Sequence, residues 1–365
     1  MNKIGIIGIG RLGLCFALNL EKSGFQVWGI DSNKKYVEQL INKTFQSSEP
    51  EVESYLSNAT HFYASTHTNV LFQERCEYIF LLVPTPSQED GSFSHQFIDD
   101  VVTNLIENTP NDGKTRHLII GSTVMPGYCD QLVDRVKPFG YTISYNPEFI
   151  AQGSIMRDQQ FPDQILIGEG HEDATQFLKE MYQKMCISTP EVHVMNLKSA
   201  ELCKLATNCF LTMKISFANA IGDIASATGG EPEKILKAIG SDSRVGAKYL
   251  NYGFGFGGPC FPRDNQALIQ FAAQKDFPLH LSEATIKVNQ EHLAYQLHQF
   301  LEQEKEVYTF DYVTYKKDTD IIEKSQQLAL AVSLVEKGKK VVLKNSSHIK
   351  EKLEHLYPNY FTFES

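Results

Sequence analysis

Nothing in the chain advertises a metal, a membrane or a nucleic acid. Its seven cysteines (15, 76, 129, 186, 203, 209 and 260) contain no CxxC pair. An odd, scattered set in a chain of 365 residues is not a disulfide framework, and reduced thiols in a cytoplasmic protein fit better. The eleven histidines show no HExxH and no clustered Cys/His spacing, so no metal is expected. No run of 18 apolar residues exists, so no membrane association is expected. The apolar N-terminus is broken by Gly5, Gly8, Gly10, Arg11 and Gly13 and reads as strand, turn and helix rather than as a signal peptide. Blocks of like charge are missing too. With 44 acidic and 34 basic residues the net charge is −10, which argues against nucleic-acid or anionic-membrane partners and leaves room for a local basic pocket.

What is present is ordinary globular composition, 42% apolar, over a length that suggests roughly two to three domains. Short apolar runs alternate with helical patterns through the first half. Strands are expected at Lys3–Ile7, Gln26–Ile30, Tyr78–Val83, His117–Ile120, Tyr141–Ser144 and Gln164–Ile167. Several are β-branched without polar alternation, as in parallel strands covered on both faces, so the fold class is α/β. Near Asn196 the rhythm changes. Ser199 to about Ala227 predicts one long helix, stopped by Gly229-Gly230, and it is apolar over more than one stripe, as a subunit-pairing helix should be. More helix follows to about residue 300, interrupted by Gly253–Pro259. A strand at Val307–Thr314, a helix near Ser325–Lys337, a strand at Lys340–Leu343 and a short tail complete a small α/β unit.

Four groups of residues point to chemistry. Gly8-Ile-Gly10-Arg-Leu-Gly13 follows a strand and opens a helix, and Asp31 ends the next strand 18 residues after Gly13. That is the Rossmann dinucleotide fingerprint: a tight turn, close approach to a pyrophosphate at a helix N-terminus, close helix–strand packing, and a carboxylate for the ribose hydroxyls that would repel a 2′-phosphate. NAD is therefore the expected cofactor. Three strands end in polar stops, Val83-Pro84-Thr85-Pro86, Ser122-Thr123 and Asn146-Pro147-Glu148-Phe149, on the edge where α/β sheets bind ligands; each alone is equally good turn chemistry. Lys204 and Asn208 share a helix face at i and i+4, where an ammonium can steady an oxyanion, although a solvated Lys is the commoner reading. Finally, Cys260 closes the glycine-rich stretch Gly253–Pro259, with Asp264 four residues on. Such glycine density usually marks backbone held close to a ligand, and a thiolate there would be a nucleophile. The other six cysteines read as inert thiols.

The fingerprint, Ser122-Thr123-Val124-Met125-Pro126-Gly127, NPEF at 146–149, ELxKLxxN at 201–208, DxRxG at Asp242–Gly246 and GFGGPCFPRD at 255–264 occur in one order. The chain thereby resembles the UDP-glucose/GDP-mannose dehydrogenase family over about residues 1–295, on the UDP-glucose side. The resemblance implies an NAD-binding domain at 1–195, a central helical dimerisation and catalytic domain at 196–300, and a truncated nucleotide-sugar-binding domain at 301–365. It implies a four-electron oxidation of a nucleotide-sugar C6 alcohol to the acid, with UDP-glucose to UDP-glucuronate foremost, in a homodimer. Cys260 would hold the C6 aldehyde as a thiohemiacetal and then as a thioester. Lys204 would stabilise the oxyanion. Asp264, Thr123 and Asn208 would position water, and Glu148 would act as a base. NAD would be held by Gly8, Gly10, Arg11, Leu12, Gly13, Asp31, Thr85, Thr123 and Arg263. The nucleotide sugar would meet Glu148, Phe149, Ile150, Ala151 and Gln152; Lys204 and Asn208; Arg244 from a neighbouring subunit; Tyr249, Leu250, Asn251, Tyr252, Gly253 and Gly257; and Lys316.

The chain departs from the family pattern at Gln152, where a second Glu is usual, at Tyr36 in place of Lys, at Glu323 in place of an Arg, and at Val341–Asn345, which lacks an Asp-Pro. Two other functions compete. A hydroxyacid-type dehydrogenase would share the Lys–Asn pair and stop after one hydride, but needs no cysteine at a glycine loop. A non-catalytic nucleotide-sugar sensor would suit the degenerate C-terminal unit, but has no need of Thr123, Glu148, Lys204, Asn208, Cys260 and Asp264 together.

Overall fold

Alternation in the first half builds a sheet buried on both faces. The structure is a computed structural model that describes residues 2–344 and 346–364 and divides into two units, Met1–Lys204 and Leu205–Ser365. The strands of the first unit are β1 (Lys3–Ile7), β2 (Gln26–Ile30), β3 (Phe62–Ser65), β4 (Tyr78–Leu81), β5 (Arg116–Ile120), β6 (Tyr141–Tyr145), β7 (Gln164–Glu169) and β8 (Glu191–Asn196). Its helices are α1 (Arg11–Lys22), α2 (Lys34–Ile41), α3 (Val52–Asn58), α4 (Asn69–Gln73), α5 (Gln96–Asn108), α6 (Tyr128–Val136), α7 (Ile155–Gln160) and α8 (Glu172–Met185). The sheet order is β3-β2-β1-β4-β5-β6-β7-β8, parallel except where β6 meets β7.

Residues alternate between the two faces. Ile4, Ile6, Phe80 and Ile119 join Leu14, Phe16, Phe177 and Met181 of α1 and α8 in one cluster. Ile7, Ile79, Leu81, Leu118 and Ile120 join Ile98, Val102 and Leu132 of α5 and α6 in the other. The six expected strands are all present. β3 and β8 were not expected. β8 is the terminal strand of the sheet and is exposed at nearly every residue, so pairing with β7 rather than apolar burial defines it. Order reverses between β2 and β4, on either side of β1, and the loops after β1, β4, β5 and β6 share the carboxyl edge of the sheet.

The long helix α9 (Leu197–Ala227) is longer than expected by two residues at its start. It ends where Gly229 takes φ +75 and the Gly230 N–H closes on the Ala225 carbonyl. The second unit adds α10 (Pro232–Gly240), α11 (Phe261–Ala273), α12 (His280–Leu301), β9 (Val307–Phe310), α13 (Gln326–Glu336), β10 (Lys340–Lys344), α14 (Lys350–Leu356) and β11 (Phe361–Glu364). Its three-stranded parallel sheet, β11-β10-β9, packs Tyr308, Phe310, Val341 and Leu343 against Leu330, Leu334 and Leu353. The β9 strand stops at Phe310 rather than Thr314, and the short tail contains α14 and β11. Asn345, the last residue of the departure at 341–345, lies outside the described residues.

Candidate active site

Each glycine of the fingerprint answers to a different constraint. Gly8 has φ +92, and a Cβ there would lie 2.6 Å from the Leu82 carbonyl oxygen. A Cβ on Gly13 would lie 2.1 Å from the Gly8 carbonyl, so α1 can pack on the turn only through glycine. Gly10, the N-cap of α1, faces open space. Bare backbone beside free helix N–H groups is what a pyrophosphate needs, so these residues fit a dinucleotide. Asp31 directly follows β2, with one carboxylate oxygen accepting the Asn33 N–H at 3.0 Å. Tyr36, at the departure from Lys, donates its hydroxyl to the Ile9 carbonyl at 2.7 Å and braces the fingerprint loop. Burial first, and the Asp31 charge second, push its phenol above its ordinary range. Arg11 donates to Gln152 Oε1 at 3.3 Å.

The polar strand ends are stitched together. Thr85 donates its hydroxyl to the Thr123 carbonyl at 2.7 Å, and Ser122 to the Val83 carbonyl at 2.6 Å. Thr85 and Ser122 are thus used in turn chemistry, whereas Thr123 contributes its carbonyl and remains half-buried. Asn146 is buried and donates to the Leu166 carbonyl, while Tyr182 donates to Asn146 Oδ1 at 2.8 Å and reaches Glu148 Oε1 at 3.4 Å. The crowded Glu148 carboxyl is pushed up to about 7 by desolvation, against the opposing pull of the Lys204 ammonium and the Tyr182 hydroxyl. Glu201 explains how Lys204 reaches this loop. Its buried carboxylate accepts the N–H groups of Gly127 and Cys129 at the start of α6, docking the first turns of α9. Lys204 is then 7% exposed, donates to the Glu148 carbonyl at 2.7 Å, and lies 4.4 Å from the Phe149 ring centre. The solvated-lysine reading does not hold.

Asn208, one turn beyond Lys204 on α9, belongs to the second unit. It is buried and donates to Asp264 Oδ2 at 2.6 Å; Asp264 is itself only 2% exposed. Cys260 is the exposed member of the seven cysteines and the N-cap of α11, whose dipole favours a thiolate. Burial pushes Cys15, Cys76, Cys186 and Cys209 up to about 12, and Cys129 well above its ordinary value.

The glycine stretch before Cys260 is packed against protein. A Cβ on Gly255 would lie 2.3 Å from Asn289 Oδ1, one on Gly257 2.2 Å from the Lys324 carbonyl, and one on Gly258 2.5 Å from the Tyr315 ring. Asn289 brackets Phe256, accepting its N–H at 2.8 Å and donating to its carbonyl at 3.0 Å. His292 and Gln296 converge on the Gly253 carbonyl, and Asn219 accepts the Gly253 N–H. Gly255, Gly257 and Gly258 are thus dictated by neighbours in the same unit, while Gly253 has open space where a Cβ would lie. Around them, Tyr249 holds φ 65, Leu250 is buried, Asn251 is exposed and Tyr252 bonds Asp223. Arg244 is exposed and forks onto Asp242. Arg263 lies 3.8 Å from Asp264 Oδ1, and Lys316 is exposed.

Residues 2–186 match the NAD-binding domain of the UDP-glucose/GDP-mannose dehydrogenase family, and residues 198–291 match its central domain. The chain belongs to this family. It is 30% identical to a UDP-glucose 6-dehydrogenase of Rickettsia felis over 79% of this chain and 64% of that protein, so the match spans somewhat under two thirds of that relative's length. It is 29% identical to a UDP-glucose 6-dehydrogenase of Haloferax volcanii over 93% of this chain and 82% of that one. A UDP-glucose dehydrogenase structure from the archaeon Pyrobaculum islandicum superposes with a TM-score of 0.90 at 29% identity, covering 100% of this chain and 86% of that one. Residues 2–186 of this family member are therefore an NAD-binding domain.

Sequence reasoning missed Tyr182, Asn289 and His292, and saw Glu201 only as a letter of the 201–208 motif, without its docking role. Asn289, His292 and Gln296 stand at i, i+3 and i+7 on α12, a polar line that could have been noticed. Tyr182 left no signal. Among the described residues, His117, His171 and Asp173 can bring ligand atoms within 4.8 Å of one another. His171 Nδ1 already accepts the Asp173 N–H as the cap of α8, which occupies a lone pair a metal would take. No helix among the described residues is long and apolar enough to cross a membrane.

Proposed function

We propose that the chain is an NAD-dependent nucleotide-sugar 6-dehydrogenase that oxidises a C6 alcohol to the carboxylate in two steps, with UDP-glucose as substrate and UDP-glucuronate as product. The observation that carries this reading is an exposed Cys260 at a helix N-cap, one turn before an Asp264 buried against Asn208. A one-hydride dehydrogenase has no use for that thiol. Bound NAD would supply the two-electron acceptor at each oxidation. Gly8, Gly10, Arg11, Leu12, Gly13, Asp31, Thr85, Thr123 and Arg263 would hold it, and Asp31 would disfavour a 2′-phosphate.

The chain's own residues divide the remaining work. Cys260 adds to the C6 aldehyde as a thiohemiacetal and carries the acyl group as a thioester until water releases the acid. The Lys204 ammonium steadies the oxyanion, a task that suits a fixed, buried cation. Glu148, raised to about 7 and part-ionised near neutrality, takes a proton from water, and Asp264 and Asn208 orient that water. A homodimer is part of the same reading. Phe210, Phe217 and Ile224 lie exposed at every seventh residue of α9, a stripe suited to a second copy that would also bring Arg244 to its partner's sugar. The reading also keeps the division at 195 and 300, with 301–365 holding the nucleotide and Lys316 contacting it. A panel of UDP-, GDP- and dTDP-sugars with NAD, followed at the NADH absorbance band, tests it. UDP-glucose should give the highest kcat/KM, and a panel without turnover would favour a sensor.

A further inference from the structure

Glu49 is a buried acid with no part in the reading above. It lies between α2 and α3, and its side chain is 1% exposed. Both carboxylate oxygens accept the Gly153 N–H, at 2.8 and 3.0 Å, and Oε2 also accepts the Ile155 N–H at 3.3 Å. Arg11 Nη1 stands 3.8 Å from Oε1 and at the same time donates to Gln152 Oε1. The other end of this stretch is tied by Asp158, which accepts the Ala151 N–H at 2.9 Å. Two acids thus hold the backbone directly after Glu148-Phe149-Ile150, and one of them is linked to the first residue of α1.

Burying a carboxylate is unfavourable unless donors surround it, and an apolar side chain of similar volume could fill the space at no such cost. What the acid adds is direction. It gathers N–H groups at positions 153 and 155 and a guanidinium from the fingerprint onto one point, fixing the loop against the dinucleotide turn. We propose that Glu49 is a positioning residue for the 148–155 loop and that, through Arg11, it sets this loop's register against the fingerprint. The proposal rests on the reading that Glu148–Gln152 meets the nucleotide sugar.

Glu49→Gln tests it with the shape preserved. The amide would turn its NH2 toward backbone N–H groups and remove the negative charge beside Arg11, which keeps its bond to Gln152. Amide hydrogen exchange in the absence of substrate is the first readout. Exchange at Gly153 and Ile155 should rise about tenfold or more in the variant, while the amides of β1 and β4 keep their protection. Steady-state kinetics is the second. The KM for UDP-glucose should rise about tenfold, while the NAD Kd, measured by titration calorimetry, should stay within about threefold. Glu49→Asp, which keeps the charge one methylene short, should fall between wild type and Glu49→Gln, and it keeps the test in force if the amide variant does not fold. Uniform loss of protection, or sugar KM and NAD Kd moving together, would reduce Glu49 to general structural support and overturn the proposal. Unchanged exchange at 153 and 155 would overturn it as well. If wild type does not turn over UDP-glucose, the functional reading fails, while the exchange result still decides whether Glu49 holds the loop.

Discussion

The two glycine-rich segments of this chain look alike in sequence and differ in what they face. In the first, Gly10 faces open space, while Gly8 and Gly13 make room for backbone. In the second, Gly253 has open space, but Gly255, Gly257 and Gly258, the three nearest Cys260, meet protein atoms within 2.5 Å of a built Cβ. One segment leaves a surface for a dinucleotide. The other uses glycine to let a loop thread between α12, the 324 backbone and Tyr315, so that Cys260 arrives at the start of α11. Glycine density thus signals close approach, and only the neighbours tell whether the approaching group is a ligand or the protein itself.

The largest effect that would sharpen this contrast is at the thiol the second segment delivers. Cys260→Ser should lower two-step turnover about a thousandfold or more, because a serine alkoxide is far harder to form than a thiolate. Iodoacetamide should label wild-type Cys260 before any other cysteine, as peptide mass mapping would show, since burial holds five of the others far from ionisation. Full turnover of the serine variant would reduce the resemblance to one of fold.

The glycines themselves come next. Gly257→Ala should lose about 2 kcal/mol or more of stability in urea titrations, because its Cβ would press on a backbone carbonyl that cannot yield. Gly10→Ala should stay within about 1 kcal/mol of wild type and yet bind NAD about tenfold more weakly by calorimetry. Equal destabilisation of the two variants would erase the distinction between the segments.

The mildest test is pH. With Glu148 raised to about 7, the ionised base is the minor form below that pH. Hydrolysis should therefore rise with pH through about 7 and level off above it, with roughly a tenth of the plateau rate at pH 6. Glu148→Gln should remove that limb from the pH profile, and a profile flat from pH 6 to 8 in wild type would take Glu148 out of the reaction.

How much of this was legible depended on range. The fingerprint, the long helix and the six central strands follow from local pattern: periodicity, glycine at a turn, and β-branched runs that two layers of helix must cover. β8 was not legible, because Glu191–Asn196 is polar and exposed and owes its conformation to its pairing with β7. β3 and β11 bury no residue fully, so no core-facing apolar run marks them. At the site, Lys204, Asn208, Cys260 and Asp264 could be singled out from their spacing. What holds them could not. Tyr182 and Asn146 are 36 residues apart, Glu49 and Gly153 are 104 apart, and His292 reaches Gly253 across 39. Such partners leave no mark in any window short enough to read.

The central claim, that Cys260 lets one site oxidise the same carbon twice, is tested most directly by stoichiometry. A limiting amount of UDP-glucose should be driven to completion with excess NAD, and the NADH formed should be counted against the sugar consumed. Two equivalents of NADH per sugar, with the uronic acid as the sole sugar product, is the predicted result. One equivalent with free aldehyde in solution would contradict it.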